Sequence, residues 1–571
     1  MISHSARARS ASRGTCILLL ATMCACSSAT LQPSAPASRD PSFAWFEYRG
    51  NDSVYKTITP GVNDYLNPIL AGFYPDPSMI RVGSDYYLAT SSFAYFPGVP
   101  LFHSRDLVNW TQVGSILDRK SQLNLDSAGI SRGIFAPAIR EHDGTFYMIT
   151  TIVDRGGNFF VTATNPAGPW SDPVWLPSVD GIDPSFFFDD NGKAYVINNG
   201  PPIGTPRYSG HRAIWIQEFD VTAKKMVGER KLIVNGGVDL AKNPIWIEAP
   251  HIFKRNGFYY LVCAEGGTAY QHSEVVFRSN APTGPWTPYA NNPILTQRHL
   301  DRSRPFPITT TGHADFVDTP NGEWWAAFLG VRPYGDDLFN AGRETFLMPV
   351  RWVDDWPVIA TGNETVPYMH ARPNLPKQPA PAVPTSGNFT VRDEFDGATL
   401  PMHWQTLRGP GTAWMQLGGG TLTLHARNAG FEPAVQPSFV ARRQQHIDFS
   451  ATTSMTYAPA AEGDKAGVVA LQNDRYYYFL GVTRTKGATV VQLEKHAGDA
   501  GVVVASMPVS TGAPIQLRVE GHGAAYDFSY AVRPGEWVSV ARGADGTILS
   551  TKVAQGFVGT MLGLYAYSAT P

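Results

Sequence analysis

At 571 residues the chain is too long for a single hydrophobic core, so two or more domains are expected. A formal net charge of −2 and 16% charged residues leave no basic stripe to neutralise phosphates, which excludes nucleic acid as the partner. Aromatics make up 12%, with 14 Trp and 24 Tyr; they favour strands, and their flat faces pack on the C–H faces of sugar rings.

Residues 1–25 read as an export signal. Arg7, Arg9 and Arg13 form a basic start, and Cys16 to Ala25 is an apolar run too short to span a bilayer. The run MCACSS at Met23 to Ser28 has the form of a lipoprotein cleavage site, with Cys26 as the candidate for acylation. The expected location is therefore outside the cytoplasm: periplasmic, anchored to the outer membrane through a lipid, or secreted. Residues 26–42 form a tether rich in Pro, Ser and Ala. No later stretch is long and apolar enough for a membrane-spanning helix. Three of the four cysteines, Cys16, Cys24 and Cys26, lie in the N-terminal segment, and the fourth, Cys263, sits in an apolar run as a buried, inert thiol. No Cys/His cluster has zinc spacing.

Residues 43–368 carry a pattern repeated five times. Hairpins of Gly followed by aromatics read GSDYYL from Gly83, DGTFYM from Asp143, NGKAYV from Asn191, NGFYYL from Asn256 and NGEWWA from Asn321. About a dozen residues before the last aromatic of each lies one slot, occupied in turn by Asp76, Phe135, Asp183, Glu248 and His313. The repeat is the length of a propeller blade, and short segments closing on Trp (DLVNW, AGPWSD, TGPWTP) recur in phase with it. Residues 369–388 are a proline-rich linker, expected to be stiff. Residues 389–571 alternate apolar and polar residues, as in GTLTLHA and PIQLRVEG, and fit a β-sandwich. The fold class is all-β: a five-bladed propeller followed by a sandwich.

Equivalent positions on successive blades face one axis, so the slot gathers two Asp, one Glu, one His and one Phe around one cavity. Taken singly, each carboxylate is an ordinary turn or surface residue. Taken in phase, they repel, and at least one should stay protonated near neutrality. A protonated acid facing an ionised base is what glycoside hydrolysis requires. Pro follows both Asp76 and Asp183, and its ring should hold each Asp in extended backbone. His313 is either a hydrogen-bonding residue or a ligand to water or a cation, and one His makes no cage by itself. Arg343 is either a fork of donors for sugar hydroxyls or the partner of Glu344. Phe93 walls the pocket or belongs to the core.

The segments YPDPSMI, GIFAPAIREHDGTFYM, GIDPSFFFDDNGKAYV, WIEAPHIFKRNGFYYL and GRETFLMPVRW, in that order, resemble glycoside hydrolase family 43. The likeness is closest to its β-xylosidases and α-L-arabinofuranosidases. DEFDG from Asp393 and PSFVARRQQHIDFSA extend it into the concanavalin-like sandwich of β-xylosidases. The resemblance implies an inverting mechanism with Asp76 as general base, Glu248 as general acid and Asp183 as the carboxylate that raises the acid's pKa. It implies substrate binding by Arg343, no required cofactor, and His313 as the axial His that in some members lies beside a calcium ion. It also implies a Trp where this chain has Phe135. The expected activity is exo-acting release of xylose from xylo-oligosaccharides. The alternatives are action on arabinose-substituted oligosaccharides, action on both, or a non-catalytic glycan-binding propeller. That last reading predicts loss of a slot carboxyl, and none is lost. For the sandwich, packing on the propeller is expected over binding polysaccharide.

Overall fold

The computed structural model describes residues 40–570 apart from 434, 499 and 511. The signal, most of the tether and Cys26 lie outside the described residues.

Five four-stranded antiparallel sheets follow one another in chain order and form the blades of a propeller. Blade I is Ser78–Val82, Asp85–Ala89, Gly98–Ser104 and Thr111–Leu117. Blade II is Ala138–His142, Thr145–Ile152, Gly157–Ala163 and Val174–Trp175, and blade III is Ile182–Phe188, Ala194–Gly200, Ala213–Asp220 and Lys225–Asn235. Blade IV is Glu248–Arg255, Phe258–Glu265, Ser273–Ser279 and Thr287–Pro288, and blade V is Thr309–Asp318, Trp324–Val331, Glu344–Val353 and Trp356–Val358. Each Gly–aromatic hairpin joins the first two strands of its blade, with the Gly at positive φ where the tight turn requires it, as at Gly83 (63°) and Gly144 (74°). Aromatic side chains fill the spaces between blades, as where Tyr147 of blade II meets Phe186 and Phe188 of blade III.

The ring closes by pairing its two ends. Asp64–Leu66 pairs with Met369–Ala371, and Asp315 of blade V accepts from Ser78 Oγ (2.8 Å) and the Met79 amide (3.0 Å) of blade I. Cys263 lies buried in blade IV, and burial pushes its thiol up.

Two eight-stranded sheets form the sandwich, with a core between them that includes Trp414, Leu422, Phe449, Leu480, Leu517 and Leu564. The chain order differs here from the boundaries expected at 43 and 368. Ser42–Gly50 is not propeller: it is a central strand of the sandwich, paired with Asp448–Thr456, Thr421–Leu424 and Thr390–Asp393. Its Phe43, Phe46 and Tyr48 are fully buried between the sheets, and a register shift between Phe43 and Trp45 keeps them inward. Tyr95–Phe96, from blade I, adds an edge to the other sheet through Gln405–Leu407.

Residues 369–388 are likewise a strap laid on the propeller and not a free spacer. Arg372 Nη2 donates to Asp106 Oδ2 (2.5 Å), the Gln378 amide donates to the same oxygen (3.2 Å), and the Ala71 amide donates to the Thr385 carbonyl (2.8 Å).

The sandwich packs on the propeller through buried polar groups. Arg332 of blade V is 2% exposed. Its guanidinium donates to both Glu344 oxygens (2.7 and 2.8 Å), to the Gln445 carbonyl of the sandwich (2.8 Å) and to Asp52. Asp52 in turn accepts from the Asp448 amide (2.8 Å). Removing the cation would leave two buried carboxylates facing each other. Arg332→Ala is therefore expected to destabilise the protein by about 3–5 kcal/mol, read by urea unfolding. An unchanged urea midpoint would show that this cluster does not hold the two domains together.

Candidate active site

All five slot residues line one cavity of about 520 Å³. The backbone that delivers them is not the extended one that the following prolines led us to expect. Asp76, Asp183 and His313 have φ of 56°, 53° and 55°, and Ala249, next to Glu248, has 51°. The inner strands of blades III, IV and V break register here, between Ile182 and Ser185, Glu248 and His251, and Thr309 and Asp315. These bulges turn a side chain out of the pleat toward the axis. Such backbone costs about 1–3 kcal/mol per residue and persists where its surroundings fix it, a pattern typical of functional sites.

Asp76 is held on three sides. Arg343 Nη1 and Nη2 donate to its two oxygens (2.6 and 3.3 Å), Ser91 Oγ donates at 2.6 Å, and His313 Nδ1 lies 3.6 Å away. Burial alone would raise its pKa. The Arg343 charge, with His313 and the Ser91 hydroxyl, outweighs it and holds the carboxyl below its ordinary value. This also decides between the two readings of Arg343. Glu344 is taken by Arg332, and Arg343 pairs with Asp76, leaving its Nε buried without a partner.

Asp183 and Glu248 are shifted the other way. Burial, with the Asp76 charge adding, pushes Asp183 up to about 7. Burial, then Asp183, then Asp76, pushes Glu248 well above the carboxylate range. The two titrate together and both are shifted upward, so the pair keeps at least one proton at neutrality. Asp183 accepts from the Ala249 amide (3.2 Å), which favours its charged form, whereas the Glu248 carboxyl has no hydrogen-bond partner among the described residues. The shared proton therefore rests on Glu248. The cavity thus holds one ionised carboxylate and one neutral carboxylic acid, the pairing that acid/base chemistry at a glycosidic bond demands.

Burial lowers His313 to about 4, so it faces Asp76 as a neutral imidazole. Its surroundings do not fit a cation cage. Among the described residues no group of three or more His, Cys, Asp or Glu side chains is placed to hold a metal ion. Farther along the inner strands the positive charge is supplied by the protein itself. Arg140 Nη2 donates to His251 Nδ1 (2.8 Å), and Arg140 Nη1 to Asp315 Oδ2 (2.8 Å).

Phe93 and Phe135 meet at 5.3 Å between ring centroids, and both meet Phe557 of the sandwich, at 6.1 and 5.7 Å. Phe93 satisfies both of its readings, since it lines the cavity and belongs to a buried cluster shared by propeller and sandwich. The other lining residues escaped sequence reasoning, Phe557, Arg132, Arg212 and Trp246 among them. Phe557 sits in QGFVGT, a loop with no repeat to flag it. Arg132 is held by Asp154 through two 2.5 Å bonds and lies over Phe135. Trp246 did carry a signal, standing two residues before Glu248 in the same motif.

Comparison with known proteins agrees with this geometry. The family model described as Glycosyl hydrolases family 43 matches residues 65–357, and that described as Beta xylosidase C-terminal Concanavalin A-like domain matches 392–571. A xylosidase/arabinosidase of Butyrivibrio fibrisolvens is 39% identical over 88% of this chain and 95% of its own length. A non-reducing end alpha-L-arabinofuranosidase of Bacteroides ovatus is 35% identical over 88% of this chain and 91% of its own. The crystal structure of a GH43_12 protein retrieved from a capybara gut metagenome superposes with a TM-score of 0.85 at 40% identity, covering 92% of this chain and 99% of that one.

Proposed function

The chain belongs to glycosyl hydrolase family 43, and from that premise we propose that it is an exo-acting, inverting β-xylosidase that releases xylose from xylo-oligosaccharides. One observation carries the mechanism: an ionised Asp76 and a protonated Glu248 border the same cavity. A water lodged against Asp76 attacks the anomeric carbon while Asp76 takes its proton. Glu248 gives its proton to the departing glycosidic oxygen. Asp183, which accepts from the Ala249 amide, raises the acid's pKa through its charge. Arg343 keeps Asp76 ionised, and its guanidinium borders the cavity that takes the sugar. Phe93, Phe135 and Phe557 give the sugar an apolar wall. No step passes through a metal ion.

A second reading, action on α-L-arabinofuranosides, draws support from the Bacteroides relative. Discrimination between sugars of similar hydroxyl placement rests on about 1–3 kcal/mol per contact. The deciding experiment is kcat/KM on an aryl β-D-xylopyranoside and an aryl α-L-arabinofuranoside, side by side, with Glu248→Ala as control. Preference for the xyloside is expected. Preference for the arabinofuranoside would transfer the substrate and leave the carboxylate roles in place, and activity on neither would overturn both readings.

A further inference from the structure

The cavity has two unlike walls. The phenylalanine wall lies on the Asp76 side: the Arg343 guanidinium is 5.9 Å from the Phe93 ring and 5.8 Å from that of Phe557. The other wall is Trp246 with Arg212, neither of which the mechanism above uses. Trp246 shares its segment with Glu248, two residues on. Arg212 lies within electrostatic reach of both Glu248 and Asp183.

Burial does not account for the way Trp246 is presented. The residue is 38% exposed, yet its backbone has φ 52°, a strained value for a bulky residue. The chain around it is pinned to hold that geometry. The Trp246 amide donates to the Gly210 carbonyl (2.9 Å), the Gly266 amide to Ile245 (2.8 Å), and Asn199 Nδ2 to Ile247 (2.6 Å). Gly210 approaches so closely that a Cβ there would lie 2.9 Å from Ile245 Cγ2 and 3.4 Å from Trp246 Cδ1. Arg212 lies 4.9 Å from the indole centroid, and its Nε and Nη2 donate to Asn199 Oδ1 (3.0 and 2.6 Å). Among the described residues its Nη1 has no hydrogen-bond partner. A guanidinium fixed on one edge, with a free donor on a cavity wall, is pre-organised for an oxygen of a ligand.

An acid that protonates the leaving oxygen stands beside the leaving group, so the wall next to Glu248 is the one that the departing sugar meets. We propose that Trp246 and Arg212 form the leaving-group subsite. The sugar beyond the scissile bond packs on the exposed part of the indole, and the free Nη1 of Arg212 donates to one of its hydroxyls. The ligand is a neutral pyranose, here the second xylose of xylobiose. This inference rests on the xylosidase reading above.

The test compares xylobiose with β-D-xylopyranosyl fluoride, whose leaving group is one atom and reaches no subsite beyond the bond. For Trp246→Ala and Arg212→Met, the loss of kcat/KM on xylobiose is expected to exceed the loss on the fluoride by about tenfold or more, mostly through KM. Trp246→Phe should recover most of it, since a flat face remains. Equal losses on the two substrates, or no loss on either, would overturn the subsite. So would a wild-type enzyme that hydrolyses the fluoride but not xylobiose. A wild-type enzyme inert on both would instead refute the xylosidase reading, and the subsite with it.

Discussion

Asp76→Asn is expected to lower kcat on xylobiose by about 10²–10⁴, with a much smaller change in KM. The amide keeps the size of the carboxyl and an oxygen for the Arg343 fork and the Ser91 hydroxyl, so the cavity should survive. What is lost is the only group there that is both ionised at neutrality and free of the shared proton, and with it the acceptor for the water's proton. The choice of Asn over Ala matters, because removing the carboxyl outright would strand the buried Arg343 charge. A variant that keeps more than about a tenth of wild-type kcat would remove Asp76 from the role of base, because that loss is smaller than general-base catalysis contributes.

Glu248→Ala is expected to show an effect that depends on the leaving group. On xylobiose, whose departing alkoxide needs a proton, kcat should fall by about 10²–10⁴, and on an aryl xyloside with an acidic phenol by far less. The pH profile provides a second readout. Activity requires Asp76 ionised and the Asp183–Glu248 pair holding its proton. Asp76 is held below the ordinary carboxylate value, so the acid limb of wild-type kcat/KM should lie lower than an unperturbed Asp would place it. The pair is shifted upward, Asp183 to about 7 and Glu248 well above the ordinary carboxylate range, so the alkaline limb should fall near or above pH 7. In Glu248→Ala that limb should vanish while the acid limb stays. Retention of the alkaline limb in the variant would assign the titrating proton to another group.

The parts of the architecture legible in the sequence were those written in local chemistry. A Gly–aromatic turn followed by an apolar strand recurs because each blade needs the same hairpin, and the residue that faces the axis keeps phase with it. That placed Asp76, Asp183, Glu248, His313 and Phe135 around one cavity, and the structure brings all five there. What escaped depends on partners distant in the chain. Arg343 and Asp76 are 267 residues apart, so no spacing rule could choose Asp76 over the adjacent Glu344. Ser42–Gly50 reads as a strand in either domain, and only its partners at 448–456 assign it to the sandwich. Phe557 reaches the site because the sandwich is docked against the propeller, a fact of tertiary packing. The positive φ at Asp183, on a bulged inner strand, and at Asp76, just ahead of the inner strand of blade I, overrides a local preference where a carboxylate must be aimed inward.

The measurement that tests the account most directly is the anomer first released from an aryl β-D-xylopyranoside, followed by proton NMR in the first minutes, before mutarotation. Attack by a water activated by Asp76, on the face opposite the oxygen that Glu248 protonates, predicts that α-xylose appears first. Early β-xylose would mean that a carboxylate acts as nucleophile through a covalent intermediate, and it would contradict the roles given to Asp76 and Glu248.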